Sequence, residues 1–257
     1  MSNIPSPPLG VTNTIDPEVF QQLLAKDKKS TSKSNAPSAS SWLRNSKKGG
    51  AFIAMPLSMI GLRKSSLSLN DLIVLAYIFG FQRSNPTESC HARPGTIATT
   101  LGLSPNVLSN RFKKIDSQNL LVRSGHGSEK TFRVDEFKWA SLCGVALSSD
   151  DTDSLRAWTS KGNFCRIPTW AVRSNRLTAL DKVLLGRIFS FWFRKEPKPF
   201  CMSVQNVADE LGASKTQVKQ SLAKLVDLGL VHKTTKGERV PAEYRPDEKG
   251  CYKFAND

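Results

Sequence analysis

The sequence predicts a mainly α-helical protein with small β-hairpins, built from two tandem copies of one unit. Three observations carry this. The chain matches itself over a long stretch when Asp71 is laid on Asp181. Each copy shows three helix-period apolar stretches followed by a hairpin. The net charge of +15 over 257 residues falls into two positive blocks around a slightly acidic connector.

The repeat comes first because a fixed internal period decides architecture. Asp71–Phe81 lies over Asp181–Phe191 without gaps, Ala98–Ser104 over Ala208–Ser214, Lys114-Ile115 over Lys224-Leu225, and Leu120-Leu121 over Leu230-Val231. A two-residue slip extends the match upstream, placing Phe52 and Pro56 over Phe164 and Pro168. Identities are few, but apolar and small positions agree throughout.

The second copy has the cleaner local signals. Leu180 to Phe193 carries Leu180, Val183, Leu184, Ile188 and Phe191 at helical spacing, with Thr178 as N-cap and Asp181 in the first turn. Pro197 and Pro199 break the chain. Ser203 caps a short helix, Val204 to Leu211, which Gly212 ends, since a left-handed C-cap suits glycine. After a tight turn, Ser214 caps a third helix whose stripe is Val218, Leu222 and Leu225, closed by Gly229. Residues 230–235 and 239–244 then read as a β-hairpin turning near Gly237.

The first copy repeats this order. Leu69 to Phe81 and Pro94 to Leu101 are its first two helices. Ser104-Pro105 opens the third, with Leu108, Phe112 and Ile115 as the stripe and Pro at the position where a missing N–H costs nothing. Leu120 to Ser124 and Lys130 to Val134 form its hairpin, with Gly125-His126-Gly127 at the tip. A helix, two helices joined by a tight Gly-containing turn, and a hairpin is the winged-helix plan.

Both copies resemble the winged helix-turn-helix domains of bacterial regulators and replication proteins. The pattern from Val204 to Val231 carries the likeness: small Ala208, then Leu211-Gly212, Ser214, Val218, Leu225 and Gly229-Leu230. Two such domains in tandem resemble plasmid or mobile-element replication initiators. The expected domains are a basic arm at 1–50 with a short helix near 17–25, a first winged-helix domain at 51–135, a linker at 136–163 and a second domain at 164–257.

A third helix of this type reads the major groove through its N-terminal, solvent-facing positions. In the second copy these are Ser214, Lys215, Thr216, Gln217, Lys219 and Gln220; in the first, Asn106, Ser109, Asn110 and Lys113. Asn and Gln suit bidentate bonds to adenine. Lys113, Lys114, Lys219 and Lys224 suit phosphates, which orient without specifying. Lys130, Arg133, Lys236 and Arg239, in the hairpins, could serve phosphate or the minor groove. The two reading sets differ in residue type, so the expected site is asymmetric or directly repeated. The third helix of the first copy, uncharged from Pro105 to Ser109, also suits a dimer or partner contact in place of DNA.

The charge is +4 in residues 1–50, +5 in 51–135, −1 in 136–163 and +7 in 164–257, which points to a polyanion. No apolar run approaches the ~18 residues that span a bilayer, and the start does not read as a secretory signal. Five cysteines without CxxC spacing suggest reduced thiols in a cytoplasmic protein, with no metal or cofactor. His91, His126 and His232 are far apart, and neither a Walker-type loop nor GxGxxG occurs, so the chain does not read as an enzyme. Trp139, Trp158, Trp170 and Trp192 read as packing anchors. The expected partner is double-stranded DNA, alongside self-association or host replication proteins. Three roles remain open: an initiator binding origin repeats, a transcription regulator of a mobile element, and a partition protein on centromere-like DNA.

Overall fold

In the computed structural model of the chain, the described residues are 52–84, 88–126, 130–147, 152–160, 164–194, 196–237 and 240–257. The arm at 1–50 and its short helix, expected near 17–25, lie outside them.

The protein is mainly helical, with small antiparallel sheets. The first repeat runs strand β1 (Phe52–Pro56), a 3-10 helix (Leu57–Ser65), α1 (Leu69–Ser84), α2 (Pro94–Leu101), α3 (Pro105–Asp116), β2 (Leu121–Ser124), β3 (Thr131–Val134) and α4 (Glu136–Leu142). Helix α5 (Thr152–Ser160) joins it to the second repeat. There follow β4 (Phe164–Pro168), α6 (Thr169–Arg173), α7 (Ala179–Trp192), β5 (Phe200–Cys201), α8 (Val204–Leu211), α9 (Lys215–Asp227), β6 (Val231–Thr234), β7 (Glu243–Pro246) and α10 (Glu248–Asn256). The two halves share one element order, except that strand β5 answers to an isolated bridge at Cys90 in the first and α6 to its 3-10 helix.

Local chemistry starts and stops these helices. Ser104, Ser203 and Ser214 each accept the backbone N–H of the third residue on, and Thr178 with Asp181 forms a reciprocal capping box. Gly102 and Gly212 end α2 and α8 with φ of +63° and +58°, a conformation a Cβ would strain. Beyond each hairpin the same device recurs. The N–H groups of Asp135 and Asp247 bond to the carbonyls of Leu120 and Leu230, and the two carboxylates cap α4 and α10. Residues 136–163, expected as a linker, therefore hold two helices, and α4 is the closing helix of the first repeat.

The second hairpin also differs from expectation. Its return strand is 243–246 rather than 239–244. Pro241 has no N–H for a ladder, and pairing with β6 begins only at Glu243, opposite Thr234. Helix α1 runs on past Phe81 to Ser84. There the buried Gln82 amide accepts from the Val134 N–H at 2.5 Å and donates to the Val134 carbonyl at 3.0 Å, closing the edge of β3.

Residues 52–257 form one compact unit, and β1 and β4 are the reason. The sequence announces neither strand. They pair antiparallel across the repeats, Phe52 opposite Pro168 and Pro56 opposite Phe164. Because Phe52 and Pro56 are the counterparts of Phe164 and Pro168, this register places an approximate two-fold axis between Ala54 and Arg166. Packing around it is reciprocal. Phe52 lies against Phe189 and Phe193 with ring centroids 6.0 and 5.2 Å apart, while the Arg83 guanidinium covers Phe164 at 4.4 Å. Helix α7 crosses β4 at Gly186, where a Cβ would sit 2.7 Å from Ile167 Cγ1 and 3.0 Å from its backbone. Trp139 is fully buried against Phe79 and Trp158, and Trp170 packs on Phe254, as packing anchors do.

Candidate nucleic-acid interface

Helices α3 and α9 have one buried stripe and one exposed polar face each. In α3 the stripe is Leu108, Phe112 and Ile115; in α9 it is Val218, Ser221, Leu222 and Leu225. Asn106, Ser109, Asn110 and Lys113 on α3 are exposed, as are Lys215, Thr216, Lys219 and Gln220 on α9. None of these eight makes a side-chain hydrogen bond or ion pair among the described residues. They are polar groups with unused capacity, facing one way on each helix.

Each helix is seated by a carboxylate at its C-terminal half. Asp71 and Asp181, counterparts in the repeat, head α1 and α7, and both side chains are only 2% exposed. Asp181 accepts from Lys224 Nζ at 2.9 Å, from the Ser221 hydroxyl and from the Thr178 N–H at 2.8 Å. Asp71 accepts from Arg111 at 2.8 Å and the Ser68 N–H at 2.8 Å, and pairs with Lys114 at 3.4 Å. Burial pushes both carboxyls up, but these hydrogen bonds outweigh it, and both rest below the usual carboxylate range. Lys114 and Lys224, expected on phosphates, thus have their amines engaged in seating the helices.

Two further expected readers have local duties. Ser214 is the N-cap of α9, accepting from the Gln217 N–H at 3.2 Å, and Gln217 Oε1 accepts from the Ser214 N–H at 3.0 Å. The oxygen of that amide is spent on the cap. In the hairpins, Lys130 is exposed, Arg133 is half-buried on β3, and Lys236 pairs with Glu243 at 2.6 Å. Arg239 lies outside the described residues. Arg123 clips the first hairpin to α3 by pairing with Asp116 while lying over Phe112 at 5.6 Å.

A groove of about 860 Å³ separates α9 from the second hairpin, with Leu222, Val226 and Tyr244 along it and Lys219 and Lys233 among its lining residues. Among the described residues no cluster of His, Cys, Asp and Glu could hold a metal, and no helix is long and apolar enough to cross a membrane. Burial pushes the thiols of Cys90 and Cys165 up to about 11 and about 12. Those thiols stay protonated at neutral pH.

Sequence reasoning missed Arg63 and Arg173. Arg63 Nη1 donates to the Leu211 carbonyl at 2.7 Å and to that of Gly212, at the end of α8 in the other repeat. Arg173 Nε donates to the Thr100 carbonyl at 3.1 Å, at the end of α2. The two arginines are spaced in the chain as Asp71 and Asp181 are, so the repeat itself held the signal. It was obscured because the two-residue slip falls between Pro56 and Arg63.

Comparison with protein-family models, curated proteins and solved structures returns no match, so the reading of these faces rests on their own geometry and chemistry.

Proposed function

We propose that the chain is a sequence-specific double-stranded DNA-binding protein of two winged-helix domains, α3 and α9 being the reading helices. One observation carries the reading. The uncommitted polar residues of the two tight-turn helix pairs described above occupy the same face of α3 and α9, and the β1–β4 register with the reciprocal Arg63 and Arg173 contacts sets the two repeats about an approximate two-fold axis. DNA is the two-fold polyanion that such a pair of helices fits, and the charge of +15 favours it. The axis sharpens the expected site. Half-sites should be inverted and unlike in sequence, because Asn106, Ser109 and Asn110 face one and Lys215, Thr216 and Gln220 the other. Among biological roles, tandem reading domains favour a replication initiator on origin repeats. The inverted geometry gives the transcription regulator its own support, since operators are commonly palindromic.

Selection of sites from random duplexes, followed by footprinting, tests this. The expected footprint covers two major-groove segments about 10 bp apart on one monomer. Gln220→Ala should weaken the selected site by about 1–3 kcal/mol and leave random DNA unaffected. Lys219→Ala should weaken both and lower the salt slope by about one. Equal loss on both DNAs for Gln220→Ala would remove its base-reading role, and no preference for any selected sequence would remove the whole reading.

A further inference from the structure

Arg63 and Arg173 leave their own repeats to hold the turn that launches the other repeat's reading helix. Gly212-Ala213-Ser214 leads directly into α9, and Gly102-Leu103-Ser104 into α3. The carbonyls they bind, Leu211, Gly212 and Thr100, lie at helix C-termini, where orphan acceptors and the negative end of the dipole favour a cation. The approach is close on both sides. A Cβ on Gly212 would lie 3.2 Å from Arg63 Nη1, and one on Gly102 would lie 2.7 Å from Arg173 Cα. A side chain at either glycine would meet the opposite arginine. The β1–β4 pair sets the axis at one place, while these two contacts act at the base of each reading helix.

We propose that Arg63 and Arg173 are positioning residues that set the separation of the two DNA half-sites the protein accepts. This rests on α3 and α9 reading DNA. One base pair of spacer shifts a half-site by about 3.4 Å along the axis and about 35° around it. A rigid pair of helices cannot follow that, whereas a loosened pair can. The arginines touch no base in this scheme; they act through the turns they hold.

The test uses the full chain and the selected site with its spacer varied from two base pairs shorter to two longer. The unaltered protein should lose about tenfold in affinity or more per base pair of misfit. R63A/R173A should bind a single half-site as before, yet vary by less than about threefold across spacers. R63K/R173K, which keeps a donor at each carbonyl, should regain part of the discrimination. If the double alanine variant does not fold, R63A and R173A singly carry the same test, each expected to halve the discrimination on a logarithmic scale. A spacer profile unchanged in a folded variant overturns the proposal while leaving DNA reading intact. No sequence-specific binding by the unaltered protein overturns both.

A second measurement needs no DNA. Spin labels at Ser117→Cys and Asp227→Cys, in a Cys143→Ser, Cys201→Ser background, should report one narrow distance that broadens in R63A/R173A. An equally narrow distribution in the variant overturns the positioning role of the two arginines.

Discussion

At the scale of single residues, the molecule depends on two buried carboxylates. Asp71 and Asp181 each join the start of one helix to the side chains of another, so each satisfies a cap and seats α3 or α9 at once. Removing one partner of a largely buried pair costs up to about 3–5 kcal/mol. Lys224 is 38% exposed and asparagine retains the cap, so Asp181→Asn should cost about 2 kcal/mol in urea unfolding. The pH dependence has a definite sign. Both carboxyls sit below their unfolded value, near 3.9. Their contribution is therefore present above that pH and lost as pH falls through the lower folded value. Asp181→Asn should accordingly lose less stability than the unaltered chain between about pH 5 and pH 3. Identical acid titrations of stability in the two would show that Asp181 is not held ionised by this network.

Residues also show how far reading from sequence reached the site. The exposed faces of α3 and α9 follow from period and caps alone, because a helix that buries Leu108, Phe112 and Ile115 must expose Asn106, Ser109, Asn110 and Lys113. What periodicity cannot tell is whether an exposed polar group is already engaged. Lys224, Lys114 and Gln217 lie at expected positions, yet each has a partner. Those of Lys224 and Lys114 are Asp181 and Asp71, at the heads of helices two elements or more earlier in the chain. They were beyond local pattern. The partner of Gln217 is the nearby Ser214, and it was legible, as Ser214-x-x-Gln217 is a capping box.

At the scale of elements, glycine at the crossing of α7 and β4 tests the packing. Gly186→Ala places a methyl group against the Ile167 backbone, which cannot yield as a side-chain tip would. A loss of about 2 kcal/mol is expected from overpacking. Gly80, also within a helix, has nothing within 4 Å of an added Cβ. Gly80→Ala should therefore be neutral or stabilising by up to about 1 kcal/mol. Parallel chemical denaturation of the two variants decides it, and equal gains in both would mean that helix propensity rather than the crossing governs both. The elements the sequence conceals are the short ones. Strand β1 is too brief to carry a pattern that tells strand from loop, and its burial of Ile53 and Met55 depends on a partner strand in the other repeat.

At the scale of the whole molecule, the two repeats are joined by a shared sheet, a ring cluster around Phe52 and Phe193, and the Arg63 and Arg173 contacts. They should unfold as one. The full chain is expected to give a single transition over residues 52–257, by coincident circular dichroism and fluorescence curves. A fragment ending at residue 147 would leave β1 without its ladder and Phe52 without its aromatic neighbours, and should lack a cooperative transition. A fragment that melted as sharply as the full chain would show the repeats to be independent domains.

The sequence by itself determined the duplication, the order of three principal helices in each repeat, the presence of a hairpin after them and the residues that two helices turn toward solvent. Each of these is set by contacts between near neighbours in the chain or by a repeat visible as a fixed offset. The tertiary structure alone decided that the repeats are one body about a two-fold axis, that Lys114 and Lys224 are seated on buried carboxylates, and that Arg63 and Arg173 reach across. Those features depend on groups far apart in the chain meeting in space. A chain can bring them together only after its local elements have formed and their apolar faces have closed on one another.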